Sequence, residues 1–284
     1  MRPALTRLLI CFSALIPCAR AAQAGAWLYP EGKGQLIIAT GFASARNAYD
    51  ASGRLVATPP YRKFEARVSL EHGLTDWLTF VGEGDAMKFR GAPAPYDVLD
   101  LLISEAKAGM PLYAPTPRGV NYEGLGLGAV GARLRVLESG DYVVSVEGRL
   151  RAASPQARRF LDMRDPVQVD ARLLIGRSYN FFGVSGFLDG QLGFRSGGQN
   201  GDEIRLDLTA GLRPFDKLSL MAQSFSAMAP RGGGVTALAQ QKFQLSVVYD
   251  ATPSLSVQLG GVAAPAGANA PAERGLITAL WWRY

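Results

Sequence analysis

The chain has 284 residues, with 30 Lys and Arg against 24 Asp and Glu, one His and two Cys. Three of the arginines and both cysteines lie within the first 24 residues, so the rest is close to charge balance and gives no argument for binding nucleic acid. The absence of Cys beyond that point excludes disulfides, thiol catalysis and Cys-ligated metals. With one His, a metal site would need carboxylates alone, and no calcium-loop spacing occurs, so we expect no cofactor and no metal.

Residues 1–24 have the pattern of a secretory signal peptide. Two arginines form a charged start, an apolar run from Leu8 to Cys18 follows, and Ala22-Gln23-Ala24 is a small-x-small cleavage site. We therefore expect export through a cleaved signal, with residues 25–284 forming one domain. The alternative interpretation of the apolar run is a short core helix or a membrane anchor.

Apolar and charged residues alternate along most of the remaining chain. The clearest case runs from Arg62 to Glu71, where Phe64 and Val68 share one face and Glu65 and Arg67 share the other. This period of two indicates a β-strand with one apolar and one polar face. The pattern recurs in Gly34–Ser44, Trp77–Lys88, Leu125–Val136, Tyr142–Arg151, Val167–Tyr179, Phe187–Arg195, Glu203–Arg213, Lys217–Met228, Gln240–Tyr249, Ser254–Val262 and Gly275–Tyr284.

The last of these segments ends the sequence on an aromatic residue. Leu276, Thr278, Leu280, Trp282 and Tyr284 share one face, and such an exposed strand would aggregate unless it closed a barrel and faced lipid. The ending resembles the C-terminal assembly signal of bacterial outer-membrane proteins. That resemblance implies contact between the barrel-assembly machinery and Leu280, Trp282 and Tyr284.

The connections between predicted strands alternate in length, which is typical of an outer-membrane barrel with short periplasmic turns and long outer loops. The sequence thus predicts an all-β fold, a transmembrane antiparallel up-and-down β-barrel of about 12 strands in contact with lipid of the bacterial outer membrane. The alternative is a soluble sandwich. The predicted short turns are Gly73–Asp76, Glu138–Asp141, Pro214–Lys217 and Asp250–Ser254, and the predicted long loops are Asn47–Pro60, Ser154–Pro166, Ser196–Asp202, Pro230–Ala239 and Ala264–Glu273.

One apolar stretch departs from the alternation. In Tyr96–Pro111 the apolar residues have helical spacing, which predicts a short amphipathic helix within an outer loop over residues 90–121. That helix would form a partial plug in the mouth of the barrel. The alternatives are a helix that covers the rim and a short, irregularly paired strand.

Several hairpins resemble a known family. Tyr61–Glu65 followed by Leu70–Thr79 resembles the glutamate and EYGLTD-type hairpin of outer-membrane proteins labelled for the meta-pathway of phenol degradation. Later hairpins of the family are similar to Leu125–Arg135, Asp170–Arg172, Glu203–Asp207 and Gln223–Phe225. The resemblance implies an outer-membrane barrel that acts as a channel for small compounds, aromatic ones among them.

The polar faces of the strands predict the lining of the lumen. Basic and acidic residues are balanced there, which favours salt-bridge ladders over strong ion selectivity. We expect a passive pore or small-solute uptake channel, and the alternative is a filled, non-conducting structural or adhesion barrel whose outer loops bind a partner. We expect no enzyme, since His72 is the one histidine and lies beside a predicted periplasmic turn. The candidate lining residues are Glu65, Arg67, Glu83, Asp85, Arg133, Arg135, Glu147, Arg149, Asp170, Arg172, Asp189, Arg205 and Asp207.

Overall fold

Long antiparallel strands make up most of the structure, a computed structural model that describes residues 25–92, 121–161, 165–198, 201–229 and 238–284. The strands are β1 (Gly34–Tyr49), β2 (Leu55–Thr75), β3 (Leu78–Gly91), β4 (Asn121–Ser139), β5 (Tyr142–Ala153), β6 (Val167–Phe181), β7 (Val184–Gly198), β8 (Gly201–Phe215), β9 (Leu218–Ala229), β10 (Leu238–Asp250), β11 (Leu255–Ala268), β12 (Ala270–Pro271) and β13 (Arg274–Arg283). A single short helix, α1 (Pro155–Phe160), is described between β5 and β6.

The sheet closes on itself. Each long strand pairs with its neighbours in the chain, and β1 pairs on one edge with β2 and on the other with β13. The two-residue β12 only extends the outer end of β1, where Ala48 lies opposite Pro271. The sheet has 13 strands, of which β12 is only a short extension at the rim. The wall of the barrel therefore consists of 12 long strands. The predicted all-β, antiparallel 12-stranded barrel is confirmed.

The polarity of the barrel is inverted relative to a soluble protein. Large apolar side chains point out of the wall, as with Leu276, which is 62% exposed. Charged side chains point inward, as with Arg133, which is 2% exposed. A wall with an apolar outside and a polar inside satisfies the lipid bilayer and the lumen at once. No helix in the described ranges is both long and apolar enough to cross a bilayer.

The two ends of the barrel differ. At the end that holds Gly34 and Arg283, two-residue turns join most hairpins, including Gly140-Asp141 and Phe182-Gly183. We call this the turn end, and the opposite rim the loop end. In outer-membrane barrels, short turns of this kind are on the periplasmic side.

The predicted loop over Asn47–Pro60 is wrong, because β1 and β2 continue past the expected boundary and leave only Asp50–Arg54 between them. The carboxylate of Asp50 accepts hydrogen bonds from the amides of Ser52 and Arg54, at 2.8 and 2.9 Å, and so holds a tight turn. Proline has no amide for a sheet ladder, and Pro59 and Pro60 lie where the register between β1 and β2 shifts.

Other connections at the loop end are also shorter or more ordered than predicted. Within Ala264–Glu273, β11 runs on to Ala268 and turns at Asn269, which has φ of 50°. Ser154–Pro166 contains α1, whose first turn is capped by the Ser154 hydroxyl accepting from the amide of Ala157 at 3.1 Å. At Ser196–Asp202 both flanking strands extend into the predicted loop. The predicted helix within residues 90–121 and most of Pro230–Ala239 lie outside the described residues.

Candidate functional site: the barrel lumen

A segment ahead of the first strand lies inside the barrel near the turn end. Residues 25–30 precede β1, and Ala26, Leu28 and Tyr29 are all buried. The amide of Ala26 donates to Asp189 Oδ2 at 2.7 Å, and its carbonyl accepts from Ser145 Oγ at 2.7 Å. We call residues 25–30 the N-terminal segment. It narrows the lumen at this end.

Apolar packing reinforces these hydrogen bonds. The Trp27 ring meets the Phe187 ring edge to face at a centroid distance of 6.0 Å, and Ala26 packs with Val143 and Leu174. Gly176 leaves room for this indole, since a Cβ at that position would lie 2.7 Å from the Trp27 ring. The alternation of apolar and charged residues does not indicate this role. The signal that could have shown it is the apolar run Ala26–Tyr29 placed directly after the predicted cleavage site.

Next to the N-terminal segment, Arg133 is the centre of a buried ion-pair cluster. Its guanidinium donates to Glu147 Oε2 at 2.9 Å and to Glu71 Oε1 at 2.8 Å. It also donates to the carbonyl oxygen of Trp27 at 3.2 Å. The second oxygen of Glu147 accepts from Arg149 Nε at 2.6 Å. Buried charges are tolerated only when paired and hydrogen-bonded, which this cluster achieves across strands β2, β4 and β5.

A second cluster centres on Asp170 of β6. Arg195 Nη2 lies 2.7 Å from its carboxylate and Arg172 Nε lies 2.9 Å away, while Arg151 is more distant at 3.7 Å. Arg172 also reaches Asp207 of β8 at 3.2 Å. These contacts join neighbouring strands through their inward side chains. They leave less of the lumen open on this side of the barrel.

The structure places the candidate lining residues in three settings. Glu65, Arg133, Glu147 and Asp170 point inward and are engaged in ion pairs. Asp85 accepts from the amide of Leu127 at 3.0 Å, beside a bulge in β3. A central cavity of about 480 Å³ touches Arg67, Glu83, Arg149, Arg172, Asp189, Arg205 and Asp207.

Arg135 is the exception among these residues. Its side chain is 31% exposed and pairs with Glu138, three residues along the chain, where β4 approaches its turn. It is not among the residues that line the central cavity. The bulge after Arg135 explains the difference, because it shifts the register just where the strand leaves the lumen.

The opposite side of the cavity is uncharged and carries several apolar side chains, which the alternation of the sequence does not predict. Ile37, Phe187, Met221, Phe225 and Trp281 line it. Glutamines lie between them, and the Trp281 indole donates to Gln258 Oε1 at 3.1 Å. These apolar residues occupy inward positions of their strands, where the alternation predicts polar side chains facing the lumen. The cavity therefore has one charged wall and one uncharged wall, in which apolar and aromatic side chains lie among glutamines.

His72 lies away from this cavity. Its Nδ1 is 3.1 Å from the Tyr284 hydroxyl, and the two rings stack at a centroid distance of 5.9 Å. The pair joins β2 to the C-terminal end of the chain at the turn end. This is a structural contact of the barrel wall.

Comparison with known proteins identifies the fold. No family model matches the chain, and no curated protein matches it. The structure is similar to the COG4313 outer membrane channel from Pseudomonas putida F1, with a TM-score of 0.63, 14% identity and coverage of 92% of this chain and 99% of that one. It is also similar to the NanC porin, with a TM-score of 0.51, 7% identity and coverage of 87% and 100%.

Both structural neighbours are outer-membrane β-barrels, and they extend over nearly the whole barrel. At these identities the likeness establishes the fold and nothing about the solute. Neither neighbour carries the label of the meta-pathway of phenol degradation, so that finer part of the family resemblance stays a prediction.

Proposed function

We propose that the protein is an outer-membrane channel that passes small amphipathic solutes, aromatic compounds among them, through its lumen. The observation that carries the proposal is the two-sided cavity, with charged residues on one wall and Phe187, Met221 and Trp281 on the other. The apolar outer surface and the aromatic final strand support a location in the bacterial outer membrane. The structural neighbours named as a channel and a porin support the same class of function.

The two walls suit different parts of one molecule. An aromatic ring gains free energy from burial against Trp281 and Phe187, with about 0.5–1.5 kcal/mol for a ring pair beyond the area it buries. A polar substituent on the same molecule keeps hydrogen-bonding partners on the charged wall.

Adjacent tryptophans in β13 provide a matched test. Trp281 is 7% exposed and faces the cavity, whereas Trp282 is 49% exposed and faces outward. With refolded residues 25–284 in planar bilayers, benzyl alcohol and benzoate should reduce the ion current more than glycerol does. Trp281→Leu should weaken this block several-fold, while Trp282→Leu should leave it unchanged.

A second candidate function is a non-conducting structural or adhesion barrel. The ion-pair clusters around Arg133 and Asp170 favour it, because they fill part of the lumen. A correctly folded barrel that shows no current steps would support this function and contradict the channel. We propose no catalytic role, since His72 is engaged with Tyr284 at the turn end.

A further inference from the structure

A row of arginines crosses four strands on the outer face of the barrel near the loop end. Arg62 of β2 lies directly opposite Arg90 of β3. On its other side Arg62 is opposite Ser44 of β1, which is in turn opposite Arg274 of β13. Arg46 follows Ser44 in β1 and is also exposed. We call Arg46, Arg62, Arg90 and Arg274 the arginine row.

The row belongs to the membrane side of the wall and not to the lumen. Arg62 has the same strand parity as Phe64, which is 45% exposed, and Ser44 has the same parity as Phe42, which is 48% exposed. Two residues further toward the turn end, Phe42 lies opposite both Phe64 and Leu276. The arginines thus lie directly above an apolar strip.

Acidic side chains of the described residues do not balance the charges of the row. Like charges directly opposite on adjacent strands are destabilising, and Arg62 and Arg90 form such a pair. Glu123 bonds Arg90 at 3.2 Å, but it also bonds Lys88 at 2.9 Å. Across the described ranges, Arg46, Arg62 and Arg274 make no salt bridge. An anion from outside would remove this repulsion.

A groove is present at this place. It has a volume of about 820 Å³, and its lining includes all four arginines together with Phe42 and Pro60. Among the residues that the structure describes, no acidic one lines it. A guanidinium group donates several hydrogen bonds in a planar fork that matches phosphate oxygens. The groove thus combines a phosphate-binding edge with an apolar edge on the membrane side.

We propose that the groove binds the phosphate groups of a phosphorylated lipid of the outer leaflet, whose acyl chains lie along Leu276, Phe42 and Phe64. Charge complementarity and the order of the two strips select this ligand, since the cations lie toward the rim and the apolar residues toward the bilayer. The loop end of an outer-membrane barrel is level with the outer leaflet. The proposal depends on the outer-membrane location and not on conduction.

Native mass spectrometry of the full mature chain in detergent tests the proposal with diphosphoryl lipid A as the probe. The double variant, which carries Arg62→Gln and Arg274→Gln, should bind this lipid about tenfold more weakly than the unaltered chain does. The matched control is Arg177→Gln, an outward arginine at the turn end that lies over the Tyr142 ring at 4.9 Å. This control should bind the lipid as the unaltered chain does.

Thermal unfolding supplies a readout that simple damage to the fold would not reproduce. Without lipid the double variant should be as stable as the unaltered barrel or more so, because a like-charge pair is removed. With lipid it should lose the stabilisation that the unaltered barrel gains. Equal lipid binding by the double variant and the unaltered chain would overturn the proposal. Inorganic phosphate that stabilised the unaltered barrel as much as the lipid does would also overturn it, because it would indicate a site for the free anion.

Discussion

The amide of Ala26 donates a 2.7 Å hydrogen bond to the carboxylate of Asp189, a residue 163 positions later in β7. The second Asp189 oxygen accepts from Gln191 Nε2 at 2.9 Å. Gly25 also lies against this carboxylate, since a Cβ on it would be 2.5 Å from Asp189 Oδ1. The N-terminal segment is therefore docked inside the barrel by a specific acceptor.

Asp189→Asn should release the N-terminal segment. If cleavage follows Ala24, the new α-ammonium group of Gly25 will lie beside Asp189, and the variant removes that charge while keeping the shape of the side chain. Hydrogen bonds to charged groups contribute about 1.5–3 kcal/mol. The ratio of docked to released segment should therefore fall at least about tenfold. Bilayer recordings should then show larger or noisier current steps. Unchanged steps, with the segment still protected from protease added at the turn end, would contradict this role.

Gly176→Ala should displace the same segment by a different route. The added methyl group would lie 2.7 Å from the Trp27 ring, so the indole must move. Gly148→Ala is the control, because nothing lies within 4 Å of a Cβ at that position. Trp27 must stay in place for this clash, so the measurement is the rate of thiol labelling of a cysteine placed at its neighbour Leu28, which is buried in the docked segment. Equal labelling in both backgrounds would show that the packing tolerates the methyl group.

Arg133→Met should strongly destabilise the barrel. The arginine is 2% exposed, and its loss leaves the carboxylates of Glu71 and Glu147 without this partner. Removing one partner of a buried ion pair lowers the free energy of unfolding by about 3–5 kcal/mol. Arg135→Met provides the comparison, because an exposed pair is worth only about 0–1 kcal/mol. Urea unfolding in lipid vesicles measures both, and similar midpoints for the two variants would refute the buried-cluster interpretation.

The contacts of Glu273 predict that the barrel loses stability in acid. It lies between β12 and β13, outside the strands, and accepts from Lys242 Nζ and the Tyr61 hydroxyl, each at 2.6 Å. Burial alone would raise the pKa of this carboxyl, but Lys242 and Lys63 outweigh it and lower the pKa from 4.5 to about 2. The folded pKa is below the unfolded value, so the contribution is full above about pH 4.5 and is lost as the pH falls toward 2.

The measurement is the temperature at which the folded band disappears on a gel, taken between pH 7 and pH 2 in steps. Glu273→Gln should lower this temperature at neutral pH and flatten its decline in acid. Glu138→Gln, a change at an exposed carboxyl of the turn end, should leave the shape of the curve unaltered. If this temperature fell as much in acid for Glu273→Gln as for the unaltered chain, groups other than Glu273 would cause the acid sensitivity.

The strands of the wall were predictable because lipid and lumen impose opposite demands on alternate residues. Beyond the bilayer that demand ends, so the loop-end extensions of β1, β2 and β11 lack alternation and have the sequence pattern of loops. The N-terminal segment has no period at all, and its partners Ser145 and Asp189 are far away in sequence. The apolar side chains around Trp281 escaped prediction because the parity rule assigns inward positions to polar residues, whereas the structure puts apolar ones there.

The seam of the barrel joins Thr40 of β1 to Thr278 of β13, whose hydroxyls are 2.8 Å apart across 238 residues of chain. The edge of the first strand must therefore stay unpaired until the last strand has been made and delivered. Contacts between such distant parts of a chain form slowly, and an open edge invites wrong partners in the meantime. The same register that leaves the finished wall without an edge leaves the unfinished chain with one exposed along β1.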